Sequence, residues 1–343
     1  MKTTHRLNLL AAALAGMMTL ATAVAHASEI GHYGGGLFNI RDFFVPPPGL
    51  YGAVYNYWYS TDRINNSHGN KINSVTINPP GGGAGVTANV DVNVDMYVVA
   101  PMLMWTTDIN PLGIRYGAAI APSFANANLD AALSAAGGRG GSVENGSFGV
   151  GDLFVQPVWL GKSLPHWDFA LAYGFYAPIG KYDTGTVTVQ GIGPVKTESI
   201  DNIGYGFWTH QFQGSIAWYP MTNRATAVVA ALTYEKNGEK EDFDLTPGDN
   251  LTLNWGISQF LPLKKDMTLL LEVGPAGYDT WQITEDSGSD ASNTRDQVHG
   301  VGGQLGIIYT PWMLSVTAHG YYEFYAEDRF QGQSFGISIA KKF

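Results

Sequence analysis

The sequence predicts an all-β fold, a transmembrane antiparallel up-and-down β-barrel of about twelve strands. Three observations predict it. Apolar residues recur at every second position along nearly the whole chain, with no helical stripe of comparable length. Short and long connections alternate between these segments. Only 14% of residues are charged, against about 25% in a typical soluble domain. Yet beyond the N-terminus there is no run of about 18 apolar residues that could form a transmembrane helix.

The N-terminus reads as an export signal. Lys2, His5 and Arg6 precede an apolar run from Leu7 to Val24, and Ala25-His26-Ala27 supplies a small-residue cleavage site. A signal peptide over 1–27, cleaved after Ala27, is expected, with the protein placed in the outer membrane of a Gram-negative bacterium. Residues 28–49 then precede the first strand. Gly34-Gly35-Gly36 gives this extension freedom, and Pro46-Pro47-Pro48 makes a stiff extended lead into the barrel. Phe38, Phe43 and Phe44 are unfavourable in water, so the extension is expected to fold into the lumen as a plug rather than hang as a periplasmic tail.

The barrel is expected over 50–343. Val90, Val92, Val94, Met96 and Val98 alternate with Asp91, Asn93, Asp95 and Tyr97, and Leu251, Leu253, Trp255 and Ile257 with Thr252, Asn254, Gly256 and Ser258. Such segments predict strands near 50–63, 88–106, 114–128, 147–161, 168–181, 203–219, 225–236, 250–261, 267–283, 297–310, 313–327 and 332–343. An even number puts both barrel ends on the periplasmic side. Short periplasmic turns are expected at 108–113, 164–167, 221–224, 262–266 and 311–312. Long polar outer loops are expected over 65–87, 129–146, 182–202, 237–249 and 284–296.

Aromatics mark the membrane boundary. Trp105, Trp159, Trp167, Trp218, Tyr219, Trp312 and Phe343 gather near the short turns, as an interfacial belt would. The final stretch from Phe335 to Phe343 alternates and closes on an aromatic, the form that the barrel assembly machinery reads. Lys341 breaks that alternation, and its ammonium is expected to reach the headgroups. Outer-membrane lipid and lipopolysaccharide are the expected surroundings.

Charge and motifs exclude several function classes. Losing Lys2 and Arg6 with the leader takes the net charge from −10 to −12, which leaves no basic stripe for nucleic acid. There is no cysteine, hence no disulfide or thiolate metal site. No nucleophile elbow is present, since Gly214-Ser215 and Gly332-Gln333-Ser334 lack the second glycine. His210, His299 and His319 therefore read as isolated residues and no enzyme or cofactor is expected. The acidic clusters Glu239, Glu241, Asp242, Asp244, Asp249 and Glu285, Asp286, Asp290, Asp296 read as solvated loop charge, their spacing matching no calcium loop.

At the start of the mature chain stand Gly31-His32-Tyr33, Asp42-Phe43 and Pro46-Pro47-Pro48-Gly49-Leu50-Tyr51, followed by Tyr55, Tyr57, Trp58, Tyr59 and Asp62. This block resembles the family of outer-membrane proteins named for the MetA pathway of phenol degradation, which includes the SphA-like transporter group. The resemblance implies a channel for passive uptake of small hydrophobic or aromatic compounds. It supplies no binding residues.

The residues themselves suggest where a passage would lie. Asp91, Asn93, Asp95, Arg115, Glu272, His319 and Glu323 are the candidate lumen residues. Their small number of charges among Gly, Ala, Ser and Tyr fits a narrow or greasy passage, since twelve strands enclose less space than a 16–18-stranded porin. Pro101, Pro122, Pro157 and Pro178 fall in four consecutive predicted strands. Proline cannot donate to a strand ladder, so one wall is expected to be weakly paired, and a lateral opening there would release an apolar solute into the bilayer. A general small-solute porin and a non-transport surface protein, an adhesin or receptor, are the alternatives.

Overall fold

The computed structural model describes residues 31–77, 86–107, 111–135, 139–189, 193–199, 201–291 and 294–343. The expected signal peptide lies outside them. The first strands are β1 (Gly49–Thr61), β2 (Ser74–Ile77), β3 (Val86–Thr106), β4 (Ile114–Ala121), β5 (Phe124–Ala135), β6 (Arg139–Val150), β7 (Leu153–Leu164) and β8 (Trp167–Ala177). A small hairpin follows, β9 (Thr184–Val189) and β10 (Gly193–Glu198). The rest are β11 (Thr209–Trp218), β12 (Thr226–Asn237), β13 (Asn250–Pro262), β14 (Leu269–Gln282), β15 (Gln297–Tyr309), β16 (Leu314–Glu327) and β17 (Gln333–Lys342).

Each barrel strand pairs antiparallel with its sequence neighbour, and β1 pairs with both β3 and β17, which closes the sheet. β4 and β5 are two halves of one strand, because both continue a single register along β3. β6 and β7 are likewise one interrupted strand. With these merged the barrel has twelve strands. No described helix is long and apolar enough to cross a membrane. Closure matters because it removes the free first and last edges of the sheet, whose N–H and C=O groups would otherwise need water.

Alternation divides the two faces. On β1, Tyr51, Ala53 and Tyr55 are buried inside, while Leu50, Val54 and Trp58 are exposed outside. The same outward row carries Leu103 and Trp105 on β3, Leu171 on β8, Leu232 on β12 and Leu305 and Ile307 on β15. Trp105, Trp167, Trp218, Trp312 and Phe343 are exposed near the short turns, as an interfacial belt requires. Trp159 and Tyr219, expected in that belt, are instead buried inside, Trp159 against Val45 and Ala170. Being near a turn does not decide which face a residue takes; strand parity does. Lys341 faces outward, its Nζ 5.9 Å from the Trp312 ring and 5.7 Å from that of Phe343.

Several expected borders move. The outer loop expected over 129–146 is mostly strand, because Ala127, Leu129 and Ala131 alternate with Asn126, Asn128 and Asp130 inside an Ala- and Asn-rich stretch. The loop expected over 182–202 contains the β9–β10 hairpin. The strand expected over 168–181 stops at Ala177, one residue before Pro178, and that expected from 203 begins only at Thr209. The acidic loops are tied together by their carboxylates. Asp244 accepts from Ser289 N–H (3.0 Å), Asp286 from Gly248 N–H (2.8 Å) and Asp296 from Arg329 (2.8 Å).

Candidate functional site

Residues 31–48 run inside the barrel from the end where β1 starts toward the opposite end. Arg115 on β4 donates to Val45 C=O (2.8 Å), and Tyr51 and Thr106 hydroxyls donate to Pro47 C=O (2.6 and 2.8 Å). Further along, Ile40 N–H donates to Gln304 on β15 (2.8 Å) and Gly36 N–H to Asn254 on β13 (3.0 Å). At the far end Tyr33 N–H donates to the buried Glu235 on β12 (2.9 Å). Extended chain could not pass Tyr278 with a side chain at every position. A Cβ on Gly35 would lie 2.5 Å from that ring, and Gly36 has φ 73°, a value that glycine adopts freely.

Apolar packing accompanies these bonds. Ile40 and Phe43 are buried in one cluster with Ala217, Tyr219, Val229, Tyr278 and Tyr321, with Phe38 and Phe44 against it. Phe38 also meets the Tyr55 ring edge-on at 5.2 Å. Each such aromatic or aliphatic side chain contributes about 1.5–3 kcal/mol when removed from water. The chain's own N-terminal segment is therefore packed inside the barrel against these residues.

Charged groups inside this packing are hydrogen-bonded, and one pair is ionic. Arg41 Nε donates to Ser258 Oγ (2.8 Å) and lies 3.5 Å from Glu272; Nη2 donates to Ala225 C=O (2.9 Å), and the guanidinium stacks 3.7 Å over the Phe260 ring. Asp42 accepts from Tyr55 OH (3.0 Å), Asn39 N–H (3.2 Å) and Asn39 Nδ2 (2.7 Å). Burial pushes the Asp42 carboxyl up to about 6, with those hydrogen bonds opposing it. A raised carboxyl pKa favours the docked segment in the protonated form. Its contribution is fully present below the ordinary value of 3.8 and is lost as pH rises through about 6. Asp42→Asn keeps an acceptor oxygen and is expected to flatten the pH dependence of segment docking between those two values. Hydrogen exchange of the segment's amides checks this, and an unchanged profile in the variant would contradict it.

The candidate lumen residues divide. Arg115, Glu272, His319 and Glu323 lie inside, against the N-terminal segment or its neighbours. His319 Nδ1 donates to Asn39 Oδ1 (3.2 Å), and Glu323 accepts from the hydroxyls of Tyr59 (2.9 Å) and Tyr278 (2.8 Å). Asp91, Asn93 and Asp95 are corrected: they share the outward row of β3 with Trp105, while Val92 and Met102 face inward. Alternation alone cannot say which row is inside. β3 continues past the end of β1 over 86–93, pairing there with β2 and β5, so Asp91 and Asn93 stand beyond the β1 pairing, while Asp95 lies opposite Ser60. His210 and His299 sit apart, bonded to Tyr173 (2.9 Å) and Asp279 (2.6 Å).

The four prolines mark interruptions in one wall. Pro101 and Pro122 stand where the β3 register leaves a gap between the β4 and β5 pairings. Pro157 occupies a bulge that shifts β7 against both β4 and β8, and Pro178 follows the last residue of β8. β8 ends opposite Leu153. Among the described residues no strand then pairs with the outer edge of β6, which is met by Lys181 N–H bonding Val150 C=O (2.8 Å) and Ser147 bonding Asp201 C=O (2.7 Å).

Asp152, at the break between β6 and β7, holds this corner together. Its carboxylate accepts from Gly180 N–H (2.9 Å), Tyr205 N–H (2.8 Å) and His32 Nε2 (2.8 Å). No spacing in the sequence connects His32 with Asp152, which lie 120 positions apart.

Comparison with known proteins places this architecture. A family model described as "Putative MetA-pathway of phenol degradation" matches residues 61–339. No curated protein matches the chain. The crystal structure of an outer membrane channel from Pseudomonas putida F1 superposes with TM-score 0.60 at 15% identity, covering 89% of this chain and 100% of that one. The β domain of the Bordetella autotransporter BrkA gives TM-score 0.46 at 12% identity, covering 86% and 100%. A mutant of the monoaromatic hydrocarbon channel TodX gives 0.39 at 11%, covering 87% and 91%. Only the first similarity is close enough to bear on the fold. The chain belongs to the family described as the putative MetA pathway of phenol degradation, and it has the closed twelve-stranded barrel fold of Gram-negative outer-membrane proteins.

Proposed function

We propose that this protein is an outer-membrane channel for passive uptake of small hydrophobic or aromatic compounds. The observation that carries the reading is a lumen filled by the chain's own segment beside a wall whose ladder is broken. Residues 31–48 act as the plug. The unpaired edge of β6, flanked by Pro101, Pro122, Pro157 and Pro178, is the lateral exit through which an apolar solute leaves for the bilayer. The family's description, phenol degradation, names a matching solute class. A general porin would need an open aqueous lumen, and a segment packed inside the barrel favours the narrower passage. The leader is removed after Ala27, and the C-terminal strand ending in Phe343 engages the assembly machinery that inserts the barrel among lipid and lipopolysaccharide.

Two measurements test this. Folded protein in planar bilayers is expected to give silence or rare small openings, and large steady steps would favour the porin. Cells lacking the protein are expected to take up phenol more slowly. Pro122→Val with Pro157→Val, which restores two ladder donors, is expected to slow that uptake severalfold while leaving conductance unchanged. Undiminished uptake in the double variant would remove the lateral exit from the mechanism.

A further inference from the structure

At the corner held by Asp152 the His32 imidazole sits in a cage of aromatic rings. It stacks on Tyr176 with centroids 4.6 Å apart, tilts against Tyr205 at 4.7 Å and meets Phe207 edge-on at 5.0 Å. Phe154 backs Tyr176 at 4.8 Å. Two polar groups meet the edge of the imidazole: Nε2 lies 2.8 Å from the Asp152 carboxylate and Nδ1 2.8 Å from the Thr209 hydroxyl. The side chains of His32 and Asp152 are only 3% and 2% exposed.

We propose that this cage is a binding site for a hydroxylated aromatic ring, with His32 as a resident competitor that such a ring displaces. The inference rests on the channel reading and deepens it by naming the solute's chemistry. A planar π-system satisfies the stacked face and the edge contact together, since ring quadrupoles favour both geometries. A ring hydroxyl in place of Nε2–H donates to Asp152, whose remaining bonds already fix it to Gly180 and Tyr205. An apolar ring would leave the buried carboxylate short of a donor, which a site built for a hydroxyl rejects strongly. A saturated alcohol would lose the stacking.

Position supports the assignment. The cage lies at the end of β8 and the break between β6 and β7, beside the unpaired wall. His32 adjoins Tyr33, whose N–H bonds Glu235, and its own backbone bonds the same carboxylate, so the ring leaves by rotating about its side-chain bonds while residues 32–48 stay anchored. A ligand that competes with a resident side chain binds with an affinity reduced by the fraction of time the cage is free. Removing the side chain removes that reduction.

The test uses the folded full-length barrel and phenol as the probe, with toluene and cyclohexanol as controls. In wild-type protein labelled at histidine, phenol is expected to shift the His32 ring resonances saturably, and neither control to do so at the same concentration. His32→Ala is expected to bind phenol on the order of tenfold more tightly and to gain little for cyclohexanol. An undisturbed His32 signal in wild type overturns the proposal without relying on any variant to fold. So does a variant that binds cyclohexanol as well as phenol. Phenol uptake by cells with and without the protein is read separately. Uptake restored with His32 undisturbed removes the cage and keeps the channel, whereas binding in the cage without restored uptake removes the channel and keeps the site.

Discussion

Deleting residues 31–45 turns the closed barrel into a steadily conducting pore, with conductance rising by on the order of tenfold as the lumen empties. The wall does not depend on the segment for its ladder, because every barrel strand pairs with another strand. Pro46-Pro47-Pro48 is retained, so Tyr51 and Thr106 keep their acceptor at Pro47. What is lost is the apolar packing of Ile40 and Phe43, the Arg41–Glu272 pair and the bonds to Glu235, Asn254 and Gln304. Water can hydrate those polar side chains in an open lumen. Single-channel recording of the folded deletion variant checks the result, and a barrel that stays silent would mean that the barrier lies elsewhere, in the outer loops.

Arg41→Ala is expected to be the most damaging single substitution in the segment. Glu272 is 5% exposed and has Arg41 at 3.5 Å as its ion-pair partner. Breaking a buried pair from one side costs about 3–5 kcal/mol, because the remaining charge is left without compensation. The guanidinium also leaves its bonds to Ser258 and Ala225 and its contact with the Phe260 ring. Adding Glu272→Gln removes the stranded charge and is expected to recover most of the loss. Denaturant midpoints of the refolded barrel in lipid measure both. Equal stability of the single and double variants would show that the Arg41–Glu272 pair is not what anchors the segment.

The legibility of this chain in its sequence varies by level. Strand periodicity, the alternation of turns with loops, and the N-terminal block ending in Pro46-Pro47-Pro48-Gly49-Leu50-Tyr51 suffice for the barrel class and the family. Borders are harder. β5 and β6 are long strands rich in Ala, Asn and Gly, residues that read as loop because their side chains contribute little apolar contrast between faces. Trp159 and Tyr219 show the limit of a composition argument, being aromatic and near turns, yet inside. Asp91, Asn93 and Asp95 show the limit of periodicity, since the alternation is present but does not say which of its two rows faces inward.

The meeting of His32 with Asp152, 120 positions apart, is a product of closure alone. So are the pairs Arg41–Glu272 and Tyr33–Glu235, which join the N-terminal segment to strands more than 200 residues away. By itself the sequence determined that the chain makes an antiparallel barrel, because its period of two is joined to low charge and to connections that alternate short and long, which a two-sheet sandwich does not require. Which row faces the lumen, where the wall breaks and what fills the inside were decided only by the tertiary structure. The physical reason is that a strand's own residues fix two alternating faces, while the shear of the closed sheet and the chain threaded through it choose between them.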